Sequence, residues 1–299
     1  MGTITAGNDQ SGTSDGGTGL RFDMDFASGC NTGNITSNGM VDLRANVISR
    51  IQTGSITAGS SLTTASPNNT GVIWRGSNLS SITTGGGAVT GRGDIIATMA
   101  SGSHITTGDI WSGGKVELDG KEWLTLNDTI TTGSISAKGN VHVTSGDTLT
   151  VNGSITSESW VRVYLAFLVE GTGWDDIRIT GSVSAGSATI PSGSGAGKSI
   201  YINNNVDFPG PDEVVIIGDS IKAVGPITIL GNDTVQTGNI ESNSNVDVSW
   251  SLGYWGSSNR YYLGYIYAGG YVDIYTDAEL TGVDDSINTG AVRAEATPG

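Results

Sequence analysis

The sequence predicts an all-β fold, a parallel β-helix (β-solenoid) of about 12 coils with three short strands in each coil. A repeated phrase, an alternation of apolar residues and a glycine-rich composition support this prediction. The phrase G-x-I-x-A-x-G-x-V-x-V recurs from Gly33, Gly108 and Gly133, with a mean period of about 23 residues. Apolar residues alternate within each copy, which indicates strands with one inward face. Gly supplies 47 of the 299 residues and Pro only six, which favours short strands and tight turns over helices.

The predicted coils are stabilised by contact with their neighbours, because a single coil cannot bury its inward face. We expect right-handed winding, since crossovers between parallel strands prefer that hand. An antiparallel β-sandwich or propeller is the alternative fold, and the in-register copies disfavour it. The whole chain, 1–299, is expected to form one solenoid domain. Within it, 1–34 is an insertion-bearing first coil, 249–275 an aromatic-rich coil with its insertion, and 276–299 an incomplete last coil.

The corners between strands are predicted to differ in how many insertions they accept. Apolar pairs six residues apart, such as Leu118 and Leu124, indicate a regular corner between the second and third strands of a coil. The corner after the third strand is expected to accept insertions, because insertions in a solenoid collect on one edge. The ITTG pieces at Ile82, Ile105 and Ile130 are therefore interpreted as elaborations of that later corner.

Charge and composition exclude several classes of partner. The formal net charge of −15 repels nucleic acid and anionic lipid. The apolar runs are much shorter than the roughly 20 residues of a membrane-spanning helix, so we expect no membrane insertion. Cys30 is the single cysteine and the chain has only two histidines, so we expect neither a disulfide nor a metal site, and no cofactor.

No catalytic residue is predicted, and the chain is not expected to be an enzyme. The Asp pairs at 175–176 and 284–285 resemble the carboxylates of β-helical polysaccharide hydrolases or of calcium sites. We interpret them as solvated turn residues, because we see no basic residue or His beside them. A polysaccharide-degrading β-helix enzyme is kept as a third alternative function.

Aromatic residues are concentrated between Ser249 and Tyr275. The alternation that places Ile266 and Ile274 inward places the intervening tyrosines outward. Outward aromatic groups suit a protein interface or stacking against sugars, and packing of the aromatic rings on one another is the alternative. The residues of this candidate interface or glycan patch are Trp250, Tyr254, Trp255, Tyr261, Tyr262, Tyr265, Tyr267, Tyr271 and Tyr275.

Several phrases of the chain resemble a known family. TGNITSNGMVDLRA from Thr32 and TGNIESNSNVDVS from Thr237 resemble repeats of filamentous-haemagglutinin-like secreted adhesins of bacteria. The resemblance covers about Gly33 to Val292. It implies a right-handed β-helical rod, secretion to the cell surface, and a role in adhesion or in building an extracellular matrix. Without the long repeat array of that family, the chain is expected to be a segment of something longer or to reach length by assembly.

Both ends of the sequence fit the repeat, and neither carries a recognisable cap. Open coils expose unpaired strand edges, and a non-closing contact between such edges gives filaments. We therefore predict an extracellular structural protein whose partner is itself, a subunit of a head-to-tail filament or biofilm matrix fibre. The alternative is an adhesin segment that binds surface glycans through the aromatic patch. The expected assembly residues are Ile4, Leu20, Phe22, Met24, Ile287 and Val292.

Overall fold

The computed structural model describes residues 4–6, 20–24, 29–46, 49–59, 71–76, 80–100, 102–120, 128–165, 176–186, 198–204, 214–231, 234–249, 260–275 and 286–295. These residues are all-β and contain no helix. Thirty-four strands form three parallel sheets of 12, 11 and 11 strands, here called sheets A, B and C. Each coil gives one strand to each sheet in that order, so the predicted parallel β-helix is confirmed. Right-handed winding stays a prediction.

The strands are numbered along the chain. Sheet A contains β1 (Ile4–Ala6), β4 (Ile35–Ser37), β7 (Ile56–Ala58), β10 (Val89–Gly91), β13 (Ile110–Ser112), β16 (Ile135–Ala137), β19 (Ile155–Ser157), β22 (Val183–Ala185), β25 (Ile221–Ala223), β28 (Ile240–Ser242), β31 (Ile266–Ala268) and β34 (Val292–Ala294). Sheet B contains β2 (Leu20–Met24), β5 (Val41–Ala45), β8 (Val72–Gly76), β11 (Ile95–Met99), β14 (Val116–Gly120), β17 (Val141–Ser145), β20 (Val161–Leu165), β23 (Ile200–Asn204), β26 (Ile227–Gly231), β29 (Val246–Ser249) and β32 (Val272–Tyr275). Sheet C contains β3 (Gly29–Asn31), β6 (Arg50–Gln52), β9 (Ser81–Thr83), β12 (His104–Thr106), β15 (Thr129–Thr132), β18 (Thr148–Val151), β21 (Asp176–Ile179), β24 (Val214–Ile217), β27 (Thr234–Thr237), β30 (Arg260–Leu263) and β33 (Ser286–Thr289).

The inward residues of sheet A form the most regular part of the core. The first position of every strand is Ile or Val, and the third is Ala, Ser or Gly. Strands pair without a register shift, so Ile110 stacks on Ile135 and Ser112 on Ala137. Parallel strands lie about 4.8 Å apart, which brings each Ile side chain into contact with the next along the rod. The core is therefore a set of continuous columns.

The small residue at the third position of sheet A serves the following corner. The Ser112 hydroxyl donates to the carbonyl oxygen of Lys115 at 2.9 Å and is placed 2.8 Å from that of Gly93 in the previous coil. Gly114 N–H donates back to the Ser112 hydroxyl at 3.1 Å. Ser112 thereby gives Gly114 N–H a hydrogen-bond partner at the corner and adds a second bond to the Lys115 carbonyl oxygen, which also accepts from Ile95 N–H at 2.9 Å.

The predicted division into regular and variable corners is wrong. The corner from sheet B to sheet C contains two residues between β17 and β18 but ten between β20 and β21. The corner from sheet C to sheet A contains two or three residues in every coil except one, in which it has five. The ITTG isoleucines Ile82, Ile105 and Ile130 are buried on third strands, at most 2% exposed, so ITTG is the third strand itself. Leu124, which was assigned to that strand, lies outside the described residues.

Insertions at two of the three corners also lengthen the average coil. Ile221 pairs with Ile240, nineteen residues further along, whereas Val183 pairs with Ile221 after thirty-eight. The eleven circuits from Ile4 to Val292 span 288 residues, an average of 26 instead of the expected 23. Every circuit nevertheless returns to the same register, because the strands and not the corners carry the columns.

The corner from sheet C to sheet A requires glycine where successive coils approach closely. Gly264 N–H donates to the Gly238 carbonyl oxygen of the previous coil at 3.2 Å. A Cβ atom on Gly264 would lie 2.7 Å from the Gly238 carbonyl carbon, closer than nonbonded carbon atoms approach. The obstacle is backbone, so a rotamer change in a neighbouring side chain does not relieve it.

We expect Gly264→Ala to lower the free energy of unfolding by about 1–3 kcal/mol, the range for overpacking a close contact. Chemical denaturation followed by circular dichroism measures this change. Gly29→Ala is the matched control, since the nearest atom to a Cβ at Gly29 is the Arg50 carbonyl oxygen at 3.9 Å. Equal stability of the two variants would contradict the close approach of coils at this corner.

Candidate functional site

The C-terminal end face of the rod exposes positions that are buried in the coils before it. Ile287 on β33 is 44% exposed and Val292 on β34 is 48% exposed. Their register partners, Tyr261 and Ile266, are fully buried. Among the described strands, β32, β33 and β34 each pair with a strand on one side only, so the other edge of each faces away from the rod. This end face therefore presents apolar columns and strand edges together.

The first three described strands, at the N-terminal end, also pair on one side only. Within the described part of the chain, β1, β2 and β3 pair only with β4, β5 and β6. Leu20 is partly buried and packs against the core. Ile4, Phe22 and Met24 lie on these strands at the register positions of Ile35, Leu43 and Ala45, but their side chains lie outside the described residues.

The predicted aromatic patch is not a single surface. Tyr262 lies on the outer face of sheet C, Tyr267 on that of sheet A and Tyr275 on that of sheet B. Tyr265 and Tyr271 lie at the corners between these strands. The tyrosines therefore lie on all three faces of the rod, on the consecutive strands β30, β31 and β32 and the corners between them. Trp250, Tyr254 and Trp255 lie outside the described residues.

Tyr261 was predicted to be part of the patch, and this prediction is wrong. It pairs in register with Val235, which places it in the inward column of sheet C, where it is fully buried. Its hydroxyl lies 3.3 Å from the carbonyl oxygen of Gly231, which accepts its hydrogen bond. The buried phenolic hydroxyl therefore keeps a hydrogen-bond partner, and the ring contributes to the core.

Tyr267 is also partly covered. The guanidinium of Arg293, on the neighbouring strand β34, lies 5.8 Å from the centre of the Tyr267 ring. Arg293 in turn donates to Glu295 at 2.6 Å. The largest exposed tyrosine surfaces in the described part of the chain are those of Tyr262, Tyr271 and Tyr275.

One predicted solvated carboxylate is buried. Asp176 lies on β21, is 7% exposed, and accepts two bonds from Arg178 at 2.7 and 2.9 Å. The prediction that no basic residue lies beside this carboxylate is therefore wrong. Arg178 follows Asp176 by two residues and so faces the same side of the strand. Asp175 and the pair at 284–285 lie outside the described residues.

A second pair of carboxylates, Asp128 and Asp147, lies buried at the corner between sheets B and C. Ser103 N–H donates to Asp128 Oδ1 at 2.7 Å, and Asp128 N–H donates to Asp147 Oδ2 at 2.6 Å. Asp128 Oδ2 has no hydrogen-bond partner among the described residues. Burial raises the pKa of Asp128 to about 7, the Ser103 N–H opposes this shift, and the Asp147 charge adds to it. These side chains use their oxygens to connect successive coils.

A group of aromatic and cationic side chains on the outer face of sheet B was not predicted from the sequence. This group, the sheet B cluster, consists of His142, Trp160, Arg162, Tyr164 and Tyr201. His142, Arg162 and Tyr201 occupy one outward column on successive strands β17, β20 and β23. The feature of the sequence that indicates this column is an aromatic or cationic residue at the second position of each of these three strands. His142 and Arg162 align without an insertion, but Tyr201 joins their column only once the strands are aligned across the insertions 166–175 and 187–197.

Comparison with known proteins identifies no relative: no family model, no curated protein and no solved structure matches the chain. The residues that the structure describes contain no helix long and apolar enough to cross a membrane. In the same residues, no three His, Cys, Asp or Glu side chains are grouped as a metal ion requires.

The buried Asp128 gives a prediction about pH. Its folded-state pKa lies above the unfolded value of about 3.9, so its favourable contribution is present at low pH and is lost as the pH rises through about 7. We expect Asp128→Asn to flatten the fall in unfolding free energy between about pH 4 and about pH 7, while the amide oxygen still accepts from Ser103. Asp109→Asn is the control, since Asp109 accepts a similar bond from Ser134 N–H at 2.7 Å but is exposed. An unchanged pH profile in Asp128→Asn would disprove this assignment.

Proposed function

We propose that the chain is a structural subunit of an extracellular filament in which copies stack head to tail through their open end faces. The exposure of Ile287 and Val292, at column positions that are buried in the preceding coil, carries this proposal. The two end faces differ from each other, so their contact does not close, and repeated contacts of that type produce a fibre. The secreted location is supported by the composition and by the adhesin-like phrases.

Stacking of two end faces extends the interactions that stabilise the rod itself. Covering the exposed half of Ile287 contributes on the order of 1 kcal/mol. New strand pairs in the three sheets satisfy the backbone groups of both free edges. The net charge of −15 on each copy opposes this contact, so assembly is measured at physiological ionic strength, which screens charges more than about 8 Å apart.

The number of strands determines what the junction must look like. Sheet A has twelve described strands and sheets B and C have eleven, so sheet A extends one strand beyond the others. If a second copy continues sheets B and C without a gap, its β1 needs the position that β34 occupies against β31. Ile4–Ala6 and Val292–Ala294 share an aliphatic first residue and an Ala third residue. We infer that the incoming β1 displaces β34.

We expect Ile287→Lys to prevent fibre growth, because an ammonium group in the end face would be buried without a partner after stacking. Asn288→Lys is the matched control, since Asn288 is exposed on the same strand but has the outward register of Tyr262. Light scattering against protein concentration and electron microscopy measure growth. Fibres of Ile287→Lys at the rate of the control would refute the proposal. If a further coil of the same polypeptide covers this face, copies do not stack and no fibres grow. The assay therefore distinguishes that case from head-to-tail assembly of copies.

A chain that ends at Thr289 lacks β34 and should assemble faster, because the incoming β1 finds its position against β31 free. A chain that ends at Glu295 keeps β34 and should assemble at the unmodified rate. The initial rate of light scattering compares the two truncations, and circular dichroism confirms that both keep their β structure. Slower growth after removal of β34 would contradict the proposed junction.

A further inference from the structure

The sheet B cluster forms a continuous contact network across three coils. The ring centres of His142 and Tyr164 lie 5.5 Å apart, and those of Tyr164 and Tyr201 lie 5.3 Å apart. Trp160 closes the cluster on one side, with its ring centre 6.1 Å from that of His142. Edge and tilted contacts of this kind hold the rings in place. The cluster is therefore an ordered aromatic surface on a rigid sheet.

Arg162 lies on this surface with its donors available. Its guanidinium carbon is 4.8 Å from the centre of the Trp160 ring, a distance at which the cation and the ring attract each other. Arg162 is exposed and forms no ion pair with another described residue, unlike Arg44 and Arg75 on the same sheet. Stacking on Trp160 covers one face of the guanidinium and leaves its N–H edge free to bind a carboxylate.

The charges on this face are arranged around Arg162. In its outward column the nearest acids are Glu117, on β14, and Asp247, on β29. The strands between them, β17 to β26, place His142, Arg162, Tyr201 and Thr228 in that column, a stretch of about 14 Å without an acid. Burial lowers the pKa of His142, so Arg162 is the cation of this stretch at neutral pH.

A surface cleft of about 240 Å³ lies beside Arg162. Tyr164, Tyr201 and Pro226 give it apolar walls, and Ser199 and Thr228 add hydroxyl groups. Its lining contains one cation and no acid, on a chain whose net charge is −15. The cleft therefore has ring faces, hydroxyl groups and a single guanidinium, all within one small volume.

We propose that this cleft binds a hexuronate unit of a short acidic oligosaccharide. Arg162 pairs with the sugar carboxylate, the Tyr164 and Tyr201 rings contact the apolar face of the sugar, and Ser199 and Thr228 bond its hydroxyls. This binding site is independent of the filament contact, because it lies on the side of the rod and not at an end face.

The lining favours a sugar over other carboxylates. An acidic peptide can pair a carboxylate with Arg162, but its aliphatic acidic side chains carry neither an apolar ring face for the tyrosines nor hydroxyl groups for Ser199 and Thr228. An aliphatic carboxylate leaves the two hydroxyl groups of the cleft without partners. A hexuronate provides a carboxylate, an apolar ring face and hydroxyl groups together, which is the combination that the lining can satisfy.

The test measures binding of trigalacturonate by isothermal titration calorimetry, with the neutral galactose trisaccharide and a triglutamate peptide as comparison probes. The protein carries Ile287→Lys in every case and is titrated at a concentration at which light scattering shows no fibres, so binding is measured independently of filament growth. We expect trigalacturonate alone to bind. Arg162→Gln should weaken that binding about tenfold to hundredfold, the loss expected for one charge-assisted bidentate bond.

Two further variants separate a specific site from general charge effects. Arg50→Gln removes an exposed arginine from sheet C and should leave the affinity unchanged. Tyr201→Ala should weaken binding, whereas Tyr201→Phe keeps the ring and should retain most of it. Absence of trigalacturonate binding, equal binding of either comparison probe, or an effect of Arg50→Gln as large as that of Arg162→Gln would each overturn the proposal.

Discussion

The stacking of identical column positions between successive coils is the interaction on which the rest of this structure depends. No coil has a core of its own, since Ile35 or Val143 is buried only because neighbouring coils place aliphatic side chains above and below it. The backbone ladder runs in the same direction, along the rod. Both interactions are local in space but connect residues about 20 to 40 positions apart in sequence, so stability is close to a sum over neighbouring coils. The end coils are consequently the weakest and the most reactive parts of the molecule.

The alternation in the sequence was sufficient to predict the architecture and most inward residues of sheets A and B. The alternation did not identify the third strand correctly. Leu124, six residues after Leu118, and Ile130, in the following ITTG phrase, are both aliphatic, and the alternation does not distinguish them. Burial distinguishes them, since Ile130 fills the column above Ile105. Tyr261 was misplaced for a related reason. A tyrosine in a column of aliphatic residues is unusual, and it is accommodated because its hydroxyl reaches a backbone carbonyl oxygen.

The candidate sites were less predictable than the fold. The exposed column positions Ile287 and Val292 could be identified because an end position follows directly from the repeat, and their role in assembly stays a prediction. The sheet B cluster could not, because its members are separated by corners of different length and meet only after the strands are in register. Asp128 and Asp147 each precede a Thr-aliphatic-Thr phrase, so their shared corner could be predicted, but their burial could not. Contacts across coils depend on register, and register becomes certain only when the whole stack is in place.

The corners give the three faces of the rod different freedom to change. The corner between sheets C and A remains short in every coil, whereas the corners on both sides of sheet B range from two or three residues to ten or more. Added residues at those two corners leave the columns and the ladder untouched, so they cost little stability. Insertions therefore lie at the two edges of the face that sheet B forms. Such a molecule can acquire a new surface on that face by lengthening a loop, while its diameter, its repeat distance and its ends stay the same.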